Sequence, residues 1–322
     1  MSPFGLALLG AFPVAGCGHE GDENLGLASR HRDTAVDVRG LTRPGELERA
    51  LALPSEEAEK RLGAHRLSAV TNLSLVSSVS GVSGDTSDRL DETFTLDVDG
   101  HGGSHLTRVN SHGYGIEAIA TGGSYFVCPR YGRFVRHSPE GDEVLRARDE
   151  VQGLAAGYLG LLGRFAARSD GGTVTLHGRT AVEVKLTLAP APGALSDPDP
   201  AHAWRAAVTV SALDGEVWID AATGAPLHVK LDAKYRSQRD ARTVAVTMHY
   251  QSDVEEMGAV APIAVPADAE PPVARVRPLV DRQALLDGLA PGHGEKRLQD
   301  DAVPRLDAAG RGKSVGEGRE AP

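Results

Sequence analysis

The segment from Gly215 to Ser237 carries a hydrophobic pattern that recurs along most of the chain. A strand-forming stretch around Trp218 leads into a polar turn that ends at Gly224. The chain then alternates strictly, with Leu227, Val229, Leu231, Ala233 and Tyr235 on one face and His228, Lys230, Asp232 and Lys234 on the other. A period of two is typical of a strand with one buried face. The segment therefore predicts a β-hairpin that directs a single apolar face to a core.

Similar alternation elsewhere predicts about ten strands in all. The patterns run through residues 66–79, 91–100, 104–137, 174–188, 206–210 and 244–250. The Pro129–Gly132 stretch is typical of a hairpin turn. These runs predict a fold that is mainly antiparallel β-structure.

Two segments depart from this period and predict helices. Residues 44–67 predict a helix that is broken at Pro54, with Ser55 as a new N-cap. Residues 141–168 predict one long amphipathic helix with an apolar stripe formed by Val151, Leu154, Ala155, Tyr158, Leu162 and Phe165. This helix carries four glycines, at 153, 157, 160 and 163, and each costs about 1 kcal/mol relative to alanine. They permit close packing on the sheet or keep the helix marginal, so that it can move as a lid.

The number of strands decides the architecture. Ten strands about 4.8 Å apart would form a flat sheet nearly 50 Å wide, which one helix about 10 Å across cannot cover. The sequence therefore predicts a mainly β (α+β) fold, a curled antiparallel half-barrel with the long helix as lid or plug. Val, Leu and Ala on the inner face favour an apolar ligand cavity. Its candidate lining residues are Leu73, Phe94, Leu96, Leu154, Tyr158, Leu162, Leu186, Leu231 and Val246.

The first residues read as an export signal. The run MSPFGLALLGAFPVAGCG is apolar, too short to span a bilayer, and ends in small residues before Cys17. It resembles a bacterial lipoprotein signal peptide with its lipobox, which implies that Cys17 is the lipidated residue. The alternative is a buried apolar N-terminus. We divide the chain into the signal (1–17), a flexible tether (18–43), a half-barrel domain (44–266) and a Pro/Gly-rich, mostly disordered tail (267–322).

Composition narrows the class of partner. The formal net charge is −10, which argues against a nucleic acid held by its phosphates. Aromatic residues make up 4% of the chain, which disfavours sites built on ring stacking. The two cysteines are too few for a disulfide framework.

Motifs that would carry catalysis or bind metal are incomplete. Lys313 sits in a GKS triplet, but Asp307 occupies the position of the glycine that a phosphate-binding loop needs. The loop that begins at Asp97 has calcium-loop spacing, but Arg108 replaces its final glutamate. His101, His105 and His112 are surface residues or, alternatively, metal ligands. Cys128 is a small core residue or, alternatively, a reactive thiol. We therefore expect no enzymatic activity and no cofactor.

Three stretches resemble the lipoprotein-carrier superfamily, which includes LolA/LolB-like and LppX/LprG-type bacterial lipoproteins. They are V-W-I-D-x-x-T-G-x-P-L from Val217, HYQSDVEEMG from His249 and APIAVPADA from Ala261, and the likeness covers residues 64–266. The resemblance implies an unclosed antiparallel barrel whose helices lie over a hydrophobic cavity for acyl chains. The same fold also serves as a sensor in envelope-stress regulators.

The resemblance thus favours a lipid-anchored envelope protein that binds a lipid or acyl chain, with lipid or lipoprotein transport as a role that such binding would serve. Its expected location is the outer membrane of a bacterial cell envelope, facing the periplasm. The alternative is a structural or sensing lipoprotein with a solid core that binds an envelope protein partner. A third possibility, an exported hydrolase, has no motif to support it.

Overall fold

The computed structural model describes residues 35–43, 45–79, 85–137, 143–194, 205–239 and 242–271. The predicted signal peptide, the predicted lipidation site Cys17, most of the predicted tether and nearly all of the predicted tail lie outside the described residues.

One antiparallel sheet dominates the described part of the chain. Its eleven strands are β1 (His65–Val79), β2 (Thr86–Val98), β3 (Ser104–Asn110), β4 (Gly115–Thr121), β5 (Ser124–Pro129), β6 (Val135–His137), β7 (Ala166–Leu176), β8 (Arg179–Leu188), β9 (Thr209–Asp220), β10 (Pro226–Arg239) and β11 (Arg242–Glu255). The order is β6-β5-β4-β3-β2-β1-β11-β10-β9-β8-β7. Strands β6 and β7 are the two edge strands and do not pair with each other. The sheet is therefore an open half-barrel, as predicted, with one strand more than expected.

The hairpin around Gly224 follows the predicted alternation. Leu231 pairs with Tyr250 of β11, and Val229 pairs with Val217 of β9. All four side chains lie on the inner face and are at most 2% exposed. The outer face of β10 carries His228, Lys230 and Asp232, of which His228 is buried. Gly224 adopts a φ of 70°, a conformation that glycine takes without strain.

Four helices lie on the inner side of the sheet: α1 (Glu46–Leu51), α2 (Ser55–Leu62), α3 (Glu143–Gln152) and α4 (Leu154–Leu162). The break at Pro54 between α1 and α2 is confirmed. The prediction of a single long helix is wrong, because Gly153 separates α3 from α4 and the chain enters β7 at Ala166. Glycine destabilises a helix interior. The residues after Phe165 form strand β7 and pair with β8. None of the described helices combines the length and hydrophobicity needed to cross a bilayer.

The ordered structure extends beyond both predicted limits of the half-barrel domain. Residues Val38–Gly40, assigned to the tether, form a 3-10 turn, and Leu41 is buried in the core at 2% exposure. At the other end, Glu270 pairs in parallel with Val135 of β6. Both segments thus pack on the half-barrel. Their polar composition predicted a tether and a tail, because composition does not show which long-range contacts a segment makes.

Candidate functional site

The predicted cavity residues lie in the main hydrophobic core. Eight of the nine are at most 7% exposed, and Leu154 packs at the margin of the same cluster; the eight are Leu73, Phe94, Leu96, Tyr158, Leu162, Leu186, Leu231 and Val246. A cavity beside Ala155 and Tyr250 has a volume of about 10 Å³, room for at most one water molecule. The structure brings the nine residues together in one core, but their side chains pack against each other and leave no space for an acyl chain. Their role in lining a ligand cavity stays a prediction that requires α4 to move.

A polar contact and ring packing hold α4 on this core. The Tyr158 hydroxyl lies 3.1 Å from that of Thr71 on β1, and its ring centroid lies 4.9 Å from that of Tyr250. Burial raises the pKa of Tyr158, although the contact with Thr71 opposes the shift. Burial also raises the pKa of Tyr235 to about 12. The phenols therefore stay neutral at physiological pH and add no charge to the interior.

The other side of the half-barrel is more open. Leu106 of β3 belongs to the main core, and its row continues through Ala118 of β4 and Val127 of β5 to Val135 of β6. This row therefore points inward. Inward-facing Ile116, Tyr125, Val127 and Val135 are only half-buried, as is Val144 on α3. We call the inward surface formed by Ile116, Ala118, Ala120, Tyr125, Val127 and Val135, together with Val144 of α3, the flank groove.

A cavity of about 500 Å³ lies at one end of the flank groove. Its wall is formed by Asp99, His101, Gly102, Gly103, Ala120, Thr121, Gly122, Gly123, Ser124, Val144, Pro262 and Ile263. Ala120 and Val144 belong to both features, so the cavity continues the space between α3 and β4. The volume falls within the range of about 300–1,000 Å³ that is usual for small-molecule sites.

Asp99 organises the loops around this cavity. Its carboxylate accepts hydrogen bonds from the backbone amides of His101 at 2.8 Å, Gly103 at 2.9 Å and Ile263 at 3.1 Å. Burial alone would raise the pKa of Asp99, but these amide bonds outweigh it and lower the pKa below its usual value. Asp99 is thus an ionised structural anchor that joins the β2–β3 loop to the C-terminal segment.

Strands β4 and β5 also bury apolar side chains on their outer face. Ile119 pairs with Phe126 there, and the two are 7% and 2% exposed. Thr121 lies on the same face and donates a hydrogen bond of 2.8 Å to the carbonyl of Ile263. The C-terminal segment therefore crosses the outer face of β4, whereas the flank groove lies on the inner face of the same strand.

Charged groups attach α3 to its surroundings. Arg148 donates to Glu59 of α2 at 2.7 Å, and Arg108 of β3 donates to Glu150 at 3.0 Å. The backbone amide of Ser55 donates to the carboxylate of Asp149 at 2.7 Å. These contacts hold α3 against α2 and β3 through charged and polar groups, whereas α4 is held mainly by apolar packing.

The residues that the sequence singled out for chemistry are dispersed. His101 lines the cavity, whereas His105 Nε2 lies 2.7 Å from Glu117 and His112 Nε2 lies 2.8 Å from the Arg89 carbonyl. The described residues contain no group of three or more side chains suited to a metal ion. Cys128 is half-buried on the outer face, and desolvation, with a further contribution from Glu117, raises the pKa of its thiol. A raised pKa disfavours the thiolate that a reactive cysteine needs.

Sequence reasoning missed the residues of the flank groove. Strands β4 and β5 carry apolar side chains on both faces, as the runs GIEAIA and SYFVC show, so their alternation is weak. The only available signal was this two-sided apolar character. It indicates that each face of these strands meets a different partner.

Comparisons with known proteins found only distant similarity to solved structures. No protein-family profile and no curated protein matches the chain. Among solved structures, the lipoprotein LppX of Mycobacterium tuberculosis is similar at 14% identity over 66% of this chain and 94% of that one, with a TM-score of 0.27. LprF of Mycobacterium bovis is similar at 16% identity over 70% and 98%, with a TM-score of 0.24. A LolA superfamily protein of Nitrosomonas europaea is similar at 9% identity over 67% and 94%, with a TM-score of 0.20.

The strand order in the described part of the chain forms an open antiparallel half-barrel, the architecture that the resemblance in the sequence implied. At these low TM-scores the likeness is coarse and does not extend to the site.

Proposed function

We propose that this protein is a lipid-anchored protein of the bacterial cell envelope that binds an acyl chain of a lipid or lipoprotein in the flank groove. The observation that carries the proposal is the asymmetry of the inner face. Beneath α4 the side chains fill the space, whereas Ile116, Tyr125, Val127 and Val135 stay half-buried and a cavity of about 500 Å³ lies at the end of their surface, beside Ala120 and Val144. Binding requires no cofactor and no chemical step, and transport between membranes is the role that such binding would serve.

The energetics favour an apolar chain as the occupant. Each methylene removed from water contributes about 0.8 kcal/mol, so ten methylenes contribute roughly 8 kcal/mol before ordering costs. Ile116 and Val127 offer half-buried apolar surface along the groove, while His101 in the wall of the cavity offers an exposed polar side chain. The groove therefore suits a ligand with an apolar chain and a polar end.

Native mass spectrometry tests this proposal on the full chain carrying Cys17→Ser, which removes the lipid anchor as a competing source of acyl chains. We expect a lipid adduct that is released on denaturation. Val127→Trp should fill the groove and remove the adduct. Val70→Trp is the matched control, because Val70 lies on the outer side of β1 and is 38% exposed. The same adduct on both variants would exclude the flank groove as the site.

A second candidate is a structural or sensing lipoprotein that binds a protein partner. The packed core beneath α4, which leaves only about 10 Å³ beside Tyr250, favours this alternative. The decisive sample is the Cys17→Ser chain without a groove substitution, prepared from a bacterial host. If it carries no lipid adduct, partner binding is favoured over lipid binding.

A further inference from the structure

The flank groove has a second end, opposite the cavity, where the β3–β4 and β5–β6 turns lie. Strand β4 runs from Gly115 at this end to Thr121 at the cavity, a length of about 20 Å. The two turns are joined, because the amide of Arg130 donates to the Gly115 carbonyl at 2.9 Å and its guanidinium donates to the Asn110 carbonyl at 3.1 Å. They therefore form one structural unit at this end of the groove.

This end presents exposed aromatic rings next to arginines. Tyr131 is 85% exposed and Tyr114 is 50% exposed. The Arg130 guanidinium lies 5.4 Å from the centroid of the Tyr131 ring, and the Arg133 side chain is 75% exposed. We call Tyr114, Arg130, Tyr131 and Arg133 the basic tip.

The charge of the basic tip is only partly compensated. In the described part of the chain, Arg130 forms no ion pair, and Arg133 meets Glu270 at 3.3 Å in an exposed contact. The acids at this end of β2 are engaged elsewhere: Glu92 pairs with Arg108, Asp91 pairs with Arg89, and Asp88 lies 3.4 Å from His112. A basic tip on a chain of net charge −10 gives the molecule a distinct polarity.

We propose that the basic tip docks non-covalently on the surface of an anionic phospholipid bilayer. Arginine guanidinium groups match phosphate oxygens, and tyrosine rings favour the interface between headgroups and acyl chains. Docking in this orientation places the tip end of the flank groove at the bilayer surface. The membrane is favoured over a protein partner because a convex turn with two charges and two rings offers no concave surface to a folded protein.

This inference deepens the proposed function, since it supplies the source of the acyl chain, but the two are tested separately. Vesicle co-sedimentation of the full chain carrying Cys17→Ser measures docking without the covalent anchor. We expect binding to vesicles of phosphatidylglycerol and phosphatidylcholine, weaker binding to phosphatidylcholine alone, and loss of the difference at high salt. Each basic residue near an anionic surface contributes about fivefold in affinity, so Arg130→Gln with Arg133→Gln should weaken binding by about 25-fold.

The control for this double variant is Lys185→Gln with Lys234→Gln, which removes the same charge from the outer face of β8 and β10. It should bind vesicles as the parent chain does. Tyr131→Ser should also weaken binding, whereas Tyr131→Trp should retain it. Failure of the parent chain to bind anionic vesicles, or equal binding by the tip and control variants, would overturn the proposal. A lipid adduct that persists in the tip variants would leave the flank groove proposal standing in either case.

Discussion

The hydroxyl of Tyr158 on α4 lies 3.1 Å from the hydroxyl of Thr71 on β1, in the interior of the half-barrel. Thr71 is 1% exposed, so its hydroxyl has no access to solvent. This contact joins α4, the most apolar helix in the described part of the chain, to the middle of the sheet.

Removing one partner of this contact should cost more than removing both. Tyr158→Phe leaves the Thr71 hydroxyl without this partner, and we expect a loss of about 1–2 kcal/mol in the free energy of unfolding. Adding Thr71→Val should recover part of the loss, because no buried hydroxyl is then deprived of it. Denaturant titration of the two single variants and the double variant measures the coupling. Simple additivity of the two losses would contradict an energetically significant bond.

A buried histidine should make stability depend on pH. His65 is 1% exposed, and burial lowers its pKa below the ordinary value of 6.5; nearby Arg148 also lowers it, while Gly63 and Glu59 oppose the shift. The folded state therefore binds its proton less readily than the unfolded state does. The corresponding stability is present above pH 6.5 and is lost as the pH falls below that value.

The His65 contribution can be isolated by comparing slopes. Unfolding free energies measured from pH 7.5 to 5.0 (from about one unit above to about one and a half units below the ordinary histidine pKa) should fall more steeply for the parent chain than for His65→Gln. His112→Gln is a control at an exposed position. Parallel curves for the parent chain and His65→Gln would show that His65 does not supply the pH dependence.

The sequence predicts best those strands that have the core on one face and solvent on the other. Strand β10 has the core on one side and solvent on most of the other, so Leu227 to Tyr235 alternate without exception. The break at Gly153 was not predicted, because the apolar stripe keeps its period across α3 and α4. A period shows which face is buried but not whether the backbone is continuous.

The flank groove could not be predicted, because it depends on which elements cover strands β4 and β5. Ile119 and Phe126 are buried by the distant C-terminal segment, whereas Val127 on the other face is half-buried beside α3. Both faces are apolar in the sequence, so neither stands out as the core side. Distinguishing them requires the strand order and the path of residues 256–271, which local pattern does not carry.

Two carboxylates that share one arginine should differ sharply in importance. Arg108 donates to Glu92 at 2.7 Å and to Glu150 at 3.0 Å. Glu92 is 8% exposed, whereas the Glu150 side chain is 60% exposed. Glu92→Ala should destabilise the fold by about 3 kcal/mol or more, since it leaves a partly buried guanidinium without its close partner. Glu150→Ala should change stability by less than about 0.5 kcal/mol. Similar losses for both variants in denaturant titration would contradict this assignment.

The lipid anchor gives a prediction outside the described residues. Two or three acyl chains on Cys17 should hold the protein in membrane fractions, because a single chain anchors only marginally. Cys17→Ser should prevent acylation and processing, and intact-mass measurement should show the loss of the acyl chains. A parent protein isolated without any acyl chain on Cys17 would refute the lipidation site.

If the helices open to admit an acyl chain, α3 and α4 should be the least protected buried elements. We expect their amides to exchange with solvent faster than those of β10 and β11, and we expect bound lipid to slow the exchange.

Gly157 is exposed in α4, and no atom lies within 4 Å of the position its Cβ would take. Gly157→Ala should therefore stabilise α4 by about 0.5–1 kcal/mol, slow its exchange and slow lipid release. Ala212→Gly, on the exposed side of β9, controls for a change of similar size elsewhere. Equal protection of helices and strands, with and without lipid, would instead favour the glycines of α4 as residues for close packing.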